Sequence, residues 1–282
     1  MNLFCVQRLK HGGPMRKVLT SGMAALCLLL MSSWLQADIY VKGILHIEGG
    51  YRYGHNVPDS EVVNEWWFGR DKVSFTSSGW RFDYSGYGDW RLILDQEKQR
   101  ILVVNMTGRS FVEIPLPMVL TAHVDPPLPE RLNDFEIDGK VSETGRKQTV
   151  LGRKCAVYDV AEWMIRRDDR FYDRRRRIIS TQDVAFDWKM ADKIYQWVAS
   201  FFNPRSTYLS ELGKIRGFVV ASEEEVFEGG SRVGFSFKVT EISEKRPPAD
   251  IYGPPTDFLK REKLGFLEIF TIRGTVYGNP LY

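Results

Sequence analysis

Apolar and polar residues alternate along most of this chain, the period-two signature of strands with one buried and one wet face. Ile39 to Tyr53 reads as a first strand, interrupted at Gly49-Gly50, and Glu61 to Phe68 as a second, with Val62, Trp66 and Phe68 on one face. Gly69-Arg70-Asp71 turns the chain into Lys72-Val73-Ser74-Phe75. Arg91 to Leu94 and Arg100 to Val104 flank a polar turn at Asp95 to Gln99. Further strands are expected at Gly139 to Val141, one or two over Gln148 to Ile165, and one at Arg174 to Thr181 that pairs back as a hairpin. A last hairpin runs from Phe218 to Phe227, turns at Gly229-Gly230 and returns through Val233, Phe235, Phe237 and Val239. Short apolar runs between turn signals indicate an antiparallel sheet.

Helical spacing stands out in one place. Ala191, Ile194, Tyr195, Val198, Phe201 and Phe202 share a stripe, with Asp187 as cap and Asn203-Pro204 as stop. A second short helix carries Leu209, Leu212 and Ile215 and ends at Gly217, and Pro129 can open a third. The expectation is an α+β fold: one large curved antiparallel sheet with two to three helices on its concave side.

The first 37 residues follow a different pattern. Met15-Arg16-Lys17 is a basic start, Met23 to Met31 an apolar run, and Leu35-Gln36-Ala37 a small-residue end. That order describes a secretory signal peptide, with translation from Met15 as an alternative start. The apolar run is about half the ~20 residues a membrane-spanning helix needs. Cleavage after Ala37 leaves 245 residues carrying 35 Lys and Arg against 36 Asp and Glu. The basic balance of the whole chain therefore belongs to the signal, and nucleic-acid binding, which needs a basic surplus on the domain, is excluded. The expected location is the periplasm. The domain is expected over 38–263, with a tail over 264–282.

Cys155 is the one cysteine after Ala37, so no intramolecular disulfide forms and the fold rests on its core. Arg153 and Lys154 flank it, yet neighbours along a strand face the other way, which favours a buried structural thiol. His46, His55 and His123 show no ligand spacing, so neither a metal nor another cofactor is expected. No Gly-x-Ser-x-Gly elbow and no phosphate-cradling loop occurs. Glu223-Glu224-Glu225 reads as a solvated strand edge. No catalytic residue is assigned, and an enzymatic role is not expected.

Arg166 to Arg177 holds seven arginines against Asp168, Asp169 and Asp173. One reading is a self-paired hairpin tip whose charges discourage edge aggregation. The other is contact with an anionic membrane surface through Arg174, Arg175, Arg176 and Arg177. Trp66, Trp67, Trp80, Trp90 and Trp163 lie on or near strands, and stretches such as Ile101 to Val104 are apolar on both faces. Such strands need covering twice, by helices on one side and by a further layer or an apolar ligand on the other.

Thr144-Gly145 with Gly152-Arg153-Lys154-Cys155-Ala156-Val157-Tyr158, Trp66-Trp67-Phe68-Gly69 with Lys72-Val73, and Phe186-Asp187-Trp188 resemble the signature of a bacterial envelope family of unknown function. The run from Glu241-Ile242-Ser243 to Pro254-Pro255 resembles that family's closing strand and loop. The family is similar to the LolA-like superfamily of lipoprotein and lipid carriers. The resemblance implies a half-open barrel with helices plugging the concave side and room for an apolar ligand between them. It implies no catalysis. On this basis the expected function is non-enzymatic binding of a lipid or lipoprotein, with Trp66, Phe68, Phe75, Val157, Phe235 and Phe237 lining a hydrophobic cavity. An interaction or assembly module with a filled core, acting through the arginine hairpin or the tail from Phe266 to Tyr282, is the alternative. An uncharacterised envelope hydrolase is the third.

Overall fold

Alternation persists over longer stretches than the turn signals suggest. The computed structural model describes residues 38–52, 55–79, 89–116, 124–125, 135–166, 169–184, 205–228, 231–265 and 268. Within them lie β1 (Asp38–Ile47), β2 (Gly50–Arg52), β3 (His55–Val57), β4 (Ser60–Phe68), β5 (Lys72–Ser78), β6 (Trp90–Asp95), β7 (Arg100–Asn105) and β8 (Ser110–Pro115). They continue with β9 (Val124–Asp125), β10 (Phe135–Val150), β11 (Arg153–Arg166), β12 (Asp169–Thr181), a helix α1 (Ser206–Leu212), β13 (Phe218–Glu228), β14 (Ser231–Lys245), β15 (Leu259–Arg261) and β16 (Leu264–Gly265).

Twelve strands form one open sheet in the order β10-β11-β12-β13-β14-β1-β4-β5-β6-β7-β8-β15. β1 sits near the centre. One antiparallel meander, β4 to β8, extends from one side of it, and a second, β10 to β14, returns to the other. β15 joins the outer edge of β8 in parallel, which makes the sheet mixed. Across three strand spacings, about 14 Å in a flat sheet, the Phe218 and Trp66 ring centroids lie 6.2 Å apart. The sheet therefore curls round these rings, and the face that carries them is termed inner.

The α+β expectation is overturned: the described residues are nearly all β, with one short helix rather than two or three. The physical reason is the length of the second meander. β10 runs for 16 residues, where the turn signals suggested a short strand at Gly139 to Val141, and β11 follows it for 14. The short helix near Leu209 is present as α1. The stripe from Asp187 to Phe202, the helix at Pro129 and the tail beyond Glu268 lie outside the described residues. Among the described residues, no helix is long and apolar enough to cross a membrane.

The second covering layer demanded by strands apolar on both faces comes from the chain itself. After β14 the segment from Arg246 to Phe258 crosses the outer face. Ile251 and Tyr252 pack on Tyr40 and Trp67. Phe258 packs on Ile93, Leu102 and Val104. The Asp250 carbonyl accepts from Arg91 Nη1 at 3.1 Å. Removing the apolar outer face of β4, β6 and β7 from water stabilises the sheet by roughly 25 cal/mol per Å² covered.

The edge strand β10 is protected rather than open. Glu211 of α1 accepts from the Val141 N–H at 2.9 Å, and Arg205 N donates to the Ile137 carbonyl at 2.8 Å. Further along, an irregularity between Glu143 and Lys147 breaks the ladder, with Gly145 at φ 72°. A covered and bulged edge offers a poor template for a partner strand.

Candidate functional site

The inner face is ordered in rows, because residues directly opposite in an antiparallel ladder point to the same side. Phe68, Val73, Leu94, Ile101 and Ile114 form one row across β4 to β8. Val41, Trp66, Phe75, Leu92, Val103 and Val112 form the next. Both are wholly apolar. Trp66 stacks on Phe75 at a centroid distance of 5.2 Å and meets Phe237 edge-on at 5.7 Å. Phe68 meets Phe218 edge-on at 5.8 Å. Such pairs add about 0.5–1.5 kcal/mol each beyond burial. Gly43 makes the Phe237 contact possible, since a Cβ there would fall inside the Phe237 ring.

Four of the six proposed lining residues, Trp66, Phe68, Phe75 and Phe237, thus belong to one buried cluster. Phe235 is half-buried at its margin. Val157 is buried on β11 and is not a member of that cluster. The rings lie against one another in this structure.

The third row is polar, and residue patterns gave no warning of it. Gly43, Asn64, Ser77, Trp90, Asn105 and Ser110 stand opposite one another across β1 and β4 to β8. All of the last five are buried. Asn105 is committed: its Oδ1 accepts from the Gly108 N–H at 2.6 Å and its Nδ2 donates to Glu268 at 3.2 Å. Glu268 also accepts from Arg261 and from the Gly265 N–H. Asn64 differs. It is wholly buried, and neither its Nδ2 nor its Oδ1 has a hydrogen-bond partner. The indole N–H of Trp66, two residues along β4, also lacks one.

A second buried polar group lies on the same face of the other meander and takes in two of the four arginines considered for surface contact. Strand alternation splits the four residues. Arg175 and Arg177 face solvent, whereas Arg174 and Arg176 are 2% and 4% exposed. Arg174 grips Glu224 with two bonds of 2.5 and 2.6 Å and reaches Glu162 at 3.4 Å. Arg176 Nη2 donates to Glu162 at 3.2 Å and to the Tyr208 hydroxyl at 3.1 Å. Tyr208, on α1, donates in turn to Glu162. Gly139 leaves the space its ring occupies. Burial alone would raise the Glu162 carboxyl, but the two guanidinium groups and the hydroxyl outweigh it and hold Glu162 below the usual carboxylate range. Two cations and two anions make the group neutral. The same alternation divides the glutamate run: Glu224 is buried, and Glu223 and Glu225 lie on the outer face of β13, which is an interior strand paired with β12 and β14 and not a sheet edge.

On the outer face a groove of about 720 Å³ is lined by Lys140, Asp159, Arg175, Arg177, Glu223 and Arg232 among others. Its charges alternate from strand to strand. Arg177 lies 3.5 Å from both Asp159 and Glu223, and Arg232 binds Glu225 at 2.6 Å. Arg175 stands opposite Glu225 and over the Phe227 ring. Arg174 and Arg176 are therefore withdrawn from any membrane surface, and the two exposed arginines sit among carboxylates.

Cys155 is buried, and desolvation pushes its thiol up. That setting suppresses the thiolate and with it nucleophilic chemistry. Among the described residues no three His, Cys, Asp or Glu side chains converge to hold a metal ion. His46 is half-buried on β1. The side chain of His55, and all of His123, lie outside the described residues.

No family model and no curated protein matches this chain. Two solved structures of PNGF-II, in C2 and P21 space groups, are similar to it at 7% and 8% identity, with TM-scores of 0.33 and 0.37. They cover 86% and 84% of this chain, which spans about a third of theirs, at 33% in both cases. Likeness at this level carries no argument about fold or function.

Proposed function

We propose that this chain is an exported, non-enzymatic protein of the bacterial envelope. It holds the hydrocarbon part of a lipid or lipidated protein against the inner face of its sheet. One observation carries this reading. Two adjacent rows of apolar side chains cross β4 to β8, and beside them stand a few buried polar groups with unused hydrogen-bonding capacity. Apolar walls with a small number of placed polar groups are the makeup of a small-molecule site. Each methylene moved from water to such a wall contributes about 0.8 kcal/mol, so affinity is expected to rise with chain length.

A second reading, a filled core with no ligand and a role in assembly, draws on the direct ring contacts among Trp66, Phe75 and Phe237. Native mass spectrometry separates the two. The full chain is expressed in a bacterial host and the protein recovered from the periplasm without detergent. Adducts of lipid mass that leave on organic extraction are the expected result. A bare mass that takes up no added lipid would overturn the carrier reading in favour of the assembly module.

A further inference from the structure

The polar row supplies a recognition element that the carrier reading does not itself require. We infer that Asn64, together with the indole N–H of Trp66, reads the neutral carbonyl linkage, ester or amide, of an acylated ligand whose hydrocarbon lies against Trp66, Phe75 and Phe237. This inference rests on the carrier reading and names the ligand class for that same face.

Asn64 stands where an apolar residue would fit. Val62 and Trp66 flank it along the inner side of β4, and Gly43 and Ser77 stand opposite on the neighbouring strands. The Phe237 ring lies over Gly43 and walls the amide on the β1 side. Burying an amide without partners costs about 1–3 kcal/mol, and the adjoining indole N–H adds its own desolvation. No other member of the row bonds to either Asn64 amide atom, and the Asn105 amide is itself engaged by Gly108 and Glu268.

The chemistry of the two groups defines the complement. The amide supplies two donors and an acceptor, and the indole a third donor. Residues two apart on one face of a strand stand about 7 Å apart. The best partner is thus rich in acceptor oxygen and carries at most one donor, which describes an ester or amide linkage. Charge narrows it further. Row members Asn64, Ser77, Trp90, Asn105 and Ser110 include no cation, and the neighbouring Glu268 is an anion already held by Arg261. A free carboxylate or phosphate would find no countercharge there, and a desolvated, unpaired anion is strongly disfavoured.

The test uses two probes that differ only in the carbonyl: glycerol monolaurate and its dodecyl ether analogue, titrated against the periplasmically expressed protein by native mass spectrometry. Wild type is expected to prefer the ester about tenfold, the worth of one good buried hydrogen bond. Asn64→Leu should reduce that preference below about twofold while binding the ether as before. Trp66→Phe, which keeps a ring and loses the N–H, should lose part of the preference and serves if Asn64→Leu does not fold. Equal binding of ester and ether by wild type would overturn the inference and leave Asn64 as the seat of a buried water. So would an ester preference that survives both substitutions. In either case the carrier reading stands. Failure of wild type to bind either probe would overturn both.

Discussion

Removing the carboxylate of Glu162 should be far more damaging than removing the charge pair to which it belongs. Glu162 accepts from Arg174 at 3.4 Å, from Arg176 at 3.2 Å and from Tyr208. Arg174 retains both bonds to Glu224 when Glu162 is lost. Arg176 does not: Glu162 is its carboxylate partner, and its Nε and Nη1 already lack acceptors. Glu162→Gln therefore leaves a buried guanidinium without a counter-ion. Breaking a buried pair in this way costs about 3–5 kcal/mol. The value expected here is near the lower bound, because the Gln carbonyl still accepts one bond. Arg176→Met should cost a similar amount. Glu162→Leu with Arg176→Met keeps the Arg174–Glu224 pair neutral and strands the Tyr208 hydroxyl and one Arg174 N–H, so a loss smaller than that of either single variant, about 1–3 kcal/mol, is expected. Urea unfolding followed by circular dichroism and by tryptophan fluorescence, with coincident transitions, measures all three. Single-variant losses below about 1 kcal/mol, or a double variant that merely sums the two singles, would refute the neutral buried network.

Three further outcomes are expected. Glu162 titrates below its unfolded value of about 4.3, so its stabilisation is complete above that pH and is withdrawn as pH falls through the folded value. The urea midpoint of wild type should thus fall more steeply as pH drops below about 4.3 than that of Glu162→Leu/Arg176→Met, and equal slopes would remove Glu162 from acid unfolding. Gly43→Ala should destabilise by about 1–3 kcal/mol through overpacking against Phe237, a shift in urea midpoint; no shift would mean that the ring moves aside freely. Arg175→Ser with Arg177→Ser should change stability by less than about 0.5 kcal/mol and leave co-sedimentation with anionic vesicles unchanged, because carboxylates surround both arginines; a clear drop in sedimentation would restore the membrane-surface reading.

Much of the strand pattern was legible in the residues. Val62-x-Asn64-x-Trp66-x-Phe68 and Phe235-x-Phe237-x-Val239 declare which side of each strand is buried, because alternation is a property of the strand alone. The pairing of β13 with β14 and the turns before Lys72 and after Asp95 were legible for the same local reason. The length of β10 was less so, since Gly139 and Gly145 read as punctuation. In the structure Gly139 is a strand residue that admits Tyr208, and Gly145 lies in an irregularity within a continuing strand.

Alternation also divides Arg174 and Arg176 from Arg175 and Arg177, yet it does not say which pair is buried. That depends on β12 meeting Glu224 on one side and Glu162 on the other, residues 50 and 12 positions away along the chain. The polar row depends in the same way on the registers of five consecutive strand pairs, any of which would break it by slipping one residue. By itself, then, the sequence determined that the chain after Ala37 builds strands with aromatic inner faces and forms no disulfide within itself. Only the tertiary structure decided how those faces are covered, that two arginines are internal, and that Asn64 stands unpartnered beside Trp66. The physical reason is that local periodicity assigns each side chain to a face, whereas register and the crossing segment from Arg246 to Phe258 assign each face its neighbours.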